Sequence, residues 1–133
     1  MSVEAIVQLL LASETIAARV PADSIVPGDV PVDASLPALG IKEIGSVPAG
    51  AFDAQAEYSV VVARVQVMAI SKAYPEVKEL LALVRRACNF QRGQLAGVDV
   101  ISIVRDTVGP DLQDAADTHF QSIDFKVTHY EPN

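Results

Sequence analysis

The chain is poor in the residues that carry reactions. It has one cysteine, two histidines and ten basic side chains in 133 residues. A lone Cys88 makes no internal disulfide, so nothing asks for an oxidising compartment. His119 and His129 stand ten residues apart on one predicted strand. That is roughly 33 Å along a straight strand, too far to share a metal or a substrate. Each reads as a surface or edge histidine. Ten bases against 17 acids leave a net charge of −7. That balance disfavours a grip on nucleic-acid phosphates and on an anionic membrane surface.

Motifs are missing too. There is no G-x-S-x-G elbow, Walker loop, G-x-G-x-x-G turn or H-E-x-x-H helix. Asp111, Asp114 and Asp117 miss the spacing of a calcium loop and its bidentate glutamate, so they read as a solvated acidic loop. Cys88 falls on an apolar helix stripe near a helix C-terminus, which suits a structural thiol and not a nucleophile. The expectation is no catalytic, metal-binding or cofactor-binding residue. No apolar run approaches the length a bilayer needs. The opening MSVEAIVQLLLA has Glu4 where a basic n-region would stand, so it reads as a helix and not a secretory signal. A soluble protein made in the cytoplasm is expected.

What is present is strong patterning. The length predicts one domain, 1–133, able to bury a core without disulfide or metal. Ser2 is placed to cap a helix over about 3–13, with Val3, Ile6, Val7, Leu10 and Leu11 on its apolar face. Residues 16–20 read as a short strand, and 21–35, with three prolines, as an irregular loop. Leu36–Ile44 reads as a strand whose start, at Pro37, lies at a sheet edge. Residues 45–56 read as a second loop. Within it Phe52 either folds onto its own core or anchors a partner subunit.

The stretch 57–90 dominates the chain. In its strand Ala63, Val65, Val67 and Ala69 face one way, and Val62, Arg64, Gln66 and Met68 the other. Three successive valines, 60–62, suggest cover on both faces of the first half. Ser71 or Tyr74 caps the following helix and Pro75 suits its first turn. Val77, Leu80, Leu81, Val84, Ala87 and Cys88 form its core stripe. Glu76 and Glu79 near its start and Arg85 and Arg86 near its end complement the helix dipole. A strand over 98–107, a loop over 109–117 and a last strand over 118–130 complete the order. In the last strand Ile123, Phe125 and Val127 face the core. Phe120 then faces away, which suggests a bulge near Gln121. The predicted fold is α+β: a mainly antiparallel sheet of about five strands, two helices packed on one face, in the order α-β-β-β-α-β-β.

The amphipathic opening helix, the Pro-rich loop, VQVMAI, PEVKELLALVRRA and the closing HFQSIDFKV together resemble the tail-completion or tail-terminator proteins of long-tailed bacteriophages. The resemblance runs from about Val3 to Tyr130. It implies a structural virion protein with no catalytic residues. Such a protein assembles with itself as a ring, commonly hexameric, caps the tail-tube protein and joins the head-connector protein. It implies a virion location after assembly in the host cytoplasm; the net charge of −7 adds an expectation of no specific nucleic-acid binding, and an acidic ring interior would repel passing DNA. The candidate assembly contacts are Phe52, Asp53, Arg64, Gln66, Met68, Asp111, Leu112 and Asp114. The alternatives are an acidic adaptor or inhibitor that binds a basic partner through 109–117 and Asp53, and a small-molecule enzyme, for which the sequence offers no cluster of ionisable groups.

Overall fold

The computed structural model describes residues 2–49 and 57–132. Its centre is a pair of long antiparallel strands, β3 (Tyr58–Ser71) and β7 (His119–Pro132), in unbroken register over their whole length. They are the most strongly patterned strands in the sequence, and they lie where both sides of each can be paired. The other strands are β1 (Ile25–Pro27), β2 (Ala38–Pro48), β4 (Gly93–Leu95), β5 (Val98–Val108) and the two-residue β6 (Leu112–Gln113). The sheet order is β1-β2-β3-β7-β5-β4, with β6 beside β7. The sheet is therefore seven-stranded and mixed, because β1 runs parallel to β2. Four of the expected five strands are present as β2, β3, β5 and β7; the three short ones have two or three residues each, too few to show a period.

Three helices, α1 (Ser2–Ala12), α2 (Glu14–Ala17) and α3 (Tyr74–Cys88), take the place of the expected two. The strand expected over 16–20 is instead the end of α2 and the turn after it. Ser13 decides this locally: its Oγ accepts a hydrogen bond from the Ile16 amide at 3.4 Å and starts a second short helix. Arg19 then reaches Glu79 on α3 as an ion pair. Ser2 is not a cap. It lies within α1, and its hydroxyl donates to Glu43 Oε1 at 2.6 Å, tying the helix start to β2.

The helices cover one face of the sheet. Ala63, Val65, Val67 and Ala69 from β3, and Ile123, Phe125 and Val127 from β7, are buried there. Val77, Leu80, Leu81, Val84 and Cys88 of α3 complete the seam as the helical period requires. Pro75 stands in the first turn of α3. The residue at its N-cap position is Ala73, and Ser71 acts nearby by bonding both Glu76 and the Ala73 amide. α1 touches β1 and β2 near one sheet edge and β4 and β5 at the other, so the sheet curls around it.

Four further expectations change. Pro37 precedes β2, and the start of β2 at Leu39–Ile41 is flanked on both sides, by β1 and β3. The unflanked part is the later one, Lys42–Pro48. That part also replaces the start of the expected loop over 45–56. No bulge interrupts β7 against β3; the irregularities lie in β5 and β2. Phe120 simply belongs to the face without helices. His129 is not a surface residue: it is 1% exposed on the core face, between the registers of Val61 and Val100.

The parallel β1–β2 pair needs a crossover, and the chain after β1 passes over the helix-free face. Gly40 permits that passage. A Cβ there would stand 3.0 Å from the Gly28 carbonyl oxygen and 3.0 Å from Val30 Cγ2.

Candidate functional site

The helix-free face is where the sequence placed Arg64, Gln66 and Met68, and that is where they lie. They stand in register with Lys126, Asp124 and Ser122 of β7. Toward one end, Met68, Ile70 and Phe120 lie beneath Gly28–Val30 around a small cavity of about 220 Å³. This cover, supplied by the crossover, keeps Phe120 half-buried without any helix.

Arg64 reaches across β7 to the β5 irregularity. Its Nε donates to Asp106 Oδ2 at 3.0 Å, and its Nη2 bonds the same oxygen. Arg64 Nε also lies 3.6 Å from Asp124 Oδ2. The hydrogen bond from Arg64 holds the Asp106 carboxyl below the usual carboxylate range. Asp124 moves the other way. Burial pushes its carboxyl up, against the attraction of Arg64. Its Oδ1 is buried and finds no hydrogen-bond partner among the described residues. The middle of the open face thus carries Arg64, Lys126, Asp106 and Asp124 as one mixed cluster, with Lys42 paired to Asp29 at 3.2 Å beside it. Alternation alone put Asp124 and Lys126 on this face. The pairing of Arg64 with Asp106, two strands away, needed the sheet order.

The acidic loop is built differently. Asp111 accepts from Lys78 Nζ and from the Tyr74 hydroxyl at 2.8 Å, and the Lys78 bond holds its carboxyl below the usual range. Asp114 Oδ1 accepts from the amides of Ala116 and Thr118 at 2.9 and 3.0 Å. The Thr118 amide is the chief cause of the low position of that carboxyl. Asp117 sits in a left-handed turn with φ 58° and accepts from Gln113 at 3.0 Å. The loop is therefore a structured turn whose carboxylates hold their own chain. Leu112, 45% exposed on β6, is its apolar surface residue. Phe52 and Asp53 lie outside the described residues.

The structure brings Arg64, Gln66 and Met68 together, and separately Asp111, Leu112 and Asp114. It shows two surface features that the sequence reading passed over: the exposed ring of Phe90, and an outer apolar row on α1. Residue 90 looked like a helix end, and Leu11 looked like core. Among the described residues, no group of three histidine, cysteine or acidic side chains could hold a metal ion. Burial pushes the Cys88 thiol up to about 12.

The sheet is sealed by helices on one side and left open on the other, with Arg64 paired across strands to Asp106 and Asp124. The family model described as tail completion protein gp17 matches residues 4–130. The chain belongs to that family, and so to the structural proteins of the phage virion tail. Its fold is similar to a chain in the virion of a native gene transfer agent particle, with a TM-score of 0.71. That similarity covers 95% of this chain and 92% of the other at 16% identity, so it speaks for the fold alone. Among curated proteins, none matches the chain in sequence.

Proposed function

We propose that this protein closes the end of the phage tail tube and joins it to the head connector, acting without catalysis as a ring of identical copies. Family membership over residues 4–130 carries the reading. The helix-free sheet face supports it, since it offers a broad, shallow surface of mixed polarity of the kind non-obligate partners use. On this reading Arg64, Gln66 and Met68 contact the tube or connector. The charge cluster sets register there more than affinity, because Arg64 is already paired at home. The acidic-adaptor alternative gains nothing from the loop over 109–117, whose Asp111 and Asp114 are engaged within the chain.

Mixing the protein with polymerising tail-tube subunits tests the reading. The expected result is tubes of limited length, with a ring of density at one end in negative-stain images. Arg64→Glu, still folded by circular dichroism, should lose that capping. Tubes growing unchanged in saturating wild-type protein would sink the reading.

A further inference from the structure

We propose that copies of this chain join head to tail, with Phe90 of one copy seated in the groove between α1 and β1 of the next. This rests on the ring reading above and names its copy-to-copy contact.

The first half of the contact is a presented aromatic. Phe90 is 79% exposed and holds φ 65°, a left-handed conformation that bulky side chains rarely adopt. Glycine is the ordinary residue at such a helix end. The conformation is fixed from both sides: the Phe90 amide donates to the Ile103 carbonyl at 2.7 Å, and the Arg105 amide donates to Asn89 Oδ1 at 3.0 Å. The ring therefore stands off the outer edge of β5 on a pinned backbone. A single exposed aromatic is unremarkable alone. Its meaning here comes from the opposite edge.

The second half is an apolar groove. Val3, Val7 and Leu11 repeat every four residues and make a row on α1 beside the buried row of Ala5, Ile6 and Leu10; Val3 and Val7 are half-buried against the core and Leu11 is exposed. With Ala12 and Pro27 this row lines an open groove of about 530 Å³, ample for a phenyl ring. Pro27 ends β1, the strand at the far end of the sheet order from β4 and β5. Knob and groove thus lie toward opposite edges of one sheet. A contact between two different patches is heterologous, and repeated it closes into a ring or runs on as a filament.

Charge selects the partner as a second copy. Residues 85–105 carry Arg85, Arg86, Arg92 and Arg105 against Asp99 alone, and none of those arginines has an ion pair among the described residues. Residues 1–35 carry Glu4, Glu14, Asp23, Asp29 and Asp33 against Arg19; Arg19 is paired with Glu79, Asp29 with Lys42, and Glu4 is already engaged, which leaves Glu14, Asp23 and Asp33 without an ion pair among the described residues. A chain of net charge −7 thus carries four of its ten bases in the segment of the knob and three unpaired acids in the segment of the groove. Opposite potentials on the two patches favour the head-to-tail arrangement and oppose knob-to-knob or groove-to-groove contacts.

The test places single cysteines beside the two patches, Gln8→Cys and Gln91→Cys, both at exposed positions. The native Cys88 is buried and stays unreactive. With a short bismaleimide, the mixed single variants should give a covalent dimer, and the double variant a ladder beyond dimer. Raising the salt should weaken both. Phe90→Ser, folded by circular dichroism, should raise the concentration needed for assembly at least about tenfold. If rings form but Phe90→Ser assembles normally and positions 8 and 91 do not crosslink, the contact is elsewhere and the ring reading stands. If the wild type stays monomeric even on tube ends, both readings fall. A crosslinked species that stops at dimer in the double variant also overturns the head-to-tail proposal.

Discussion

Leu10 and Leu11 are neighbours with the same side chain on the same helix, and the structure assigns them opposite fates. Leu10 is fully buried and Leu11 is 46% exposed. Leu10→Ala removes about three carbons from the core, worth roughly 0.8 kcal/mol each by transfer. The cavity left among β-strand and helix neighbours brings the loss to about 3–4 kcal/mol. Leu11→Ala removes the same atoms from a side that water already reaches and leaves no closed cavity, so its cost stays under about 1 kcal/mol. A chain of this size has roughly 5–15 kcal/mol in all. The Leu10 variant should melt about 10–15 °C lower and the Leu11 variant only a few degrees lower. Circular dichroism suits the measurement, because the chain has no tryptophan to report by fluorescence. Dilute protein is required, since copy-to-copy contacts would bury Leu11 as well. Equal losses for the two variants would refute the rotation of α1 described above, and with it the groove.

Other positions answer to separate physics. Gly40→Ala should cost about 1–3 kcal/mol by pushing against the Gly28 carbonyl and Val30, while Gly45→Ala, with nothing near its added carbon, should not show that clash; equal melting points would refute the close approach. Asp124→Asn should stabilise the fold by about 1 kcal/mol at neutral pH, by relieving a buried carboxylate with an unmet oxygen. The Asp124 carboxyl is raised in the fold, so its cost is present above that raised position and fades as pH falls and the group protonates. The gain from Asp124→Asn should shrink with it in acid melts. Asp111→Asn has the opposite sign: the lowered carboxyl contributes stability at neutral pH that is lost as pH falls through its folded position, below about 4. The variant should melt below wild type at pH 7 and converge with it in acid; a constant gap would contradict the Lys78 and Tyr74 pairing.

The parts of the fold legible in the sequence were those written by period. The alternation in β3, the α3 stripe and the Ile123–Phe125–Val127 face each follow from which residue must avoid water, and each is found as read. The Arg64–Gln66–Met68 face followed from the same alternation. Short elements escaped because two or three residues hold no period, as in β1, β4 and β6. On α1 the period itself was ambiguous. Val3, Ala5, Ile6, Val7, Leu9, Leu10 and Leu11 leave only a narrow polar side at Glu4 and Gln8, which is too little contrast to select the row that faces the sheet. Residues 16–20 carry strand-like residues, but the cap that turns their start into helix acts from outside the segment, at Ser13. His129 shares the strand face of Ile123, Phe125 and Val127, and that face, not the polarity of its ring, decides its burial.

The candidate surfaces were less legible than the fold, and the reason lies in sheet order. Which strand stands at an edge is a non-local fact, and edges decide how a sheet protein meets others. Here β5 carries the Phe90 amide and Asn89 on its outer side, so part of that edge is occupied by its own chain. The free run of β2 carries Lys42, an irregularity between Glu43 and Gly45, and Pro48, each of which discourages an added strand. Neither edge invites main-chain pairing along its length. The assembly surfaces proposed above are accordingly made of side chains: the Arg64 cluster on the open face, the Phe90 ring, and the Val3–Val7–Leu11 row. Side-chain contacts can be selective in a way that strand addition is not, because backbone edges look alike while a pinned aromatic ring and an apolar groove do not. On the reading proposed above, a ring that forms once, at one end of a tube, would gain from that selectivity.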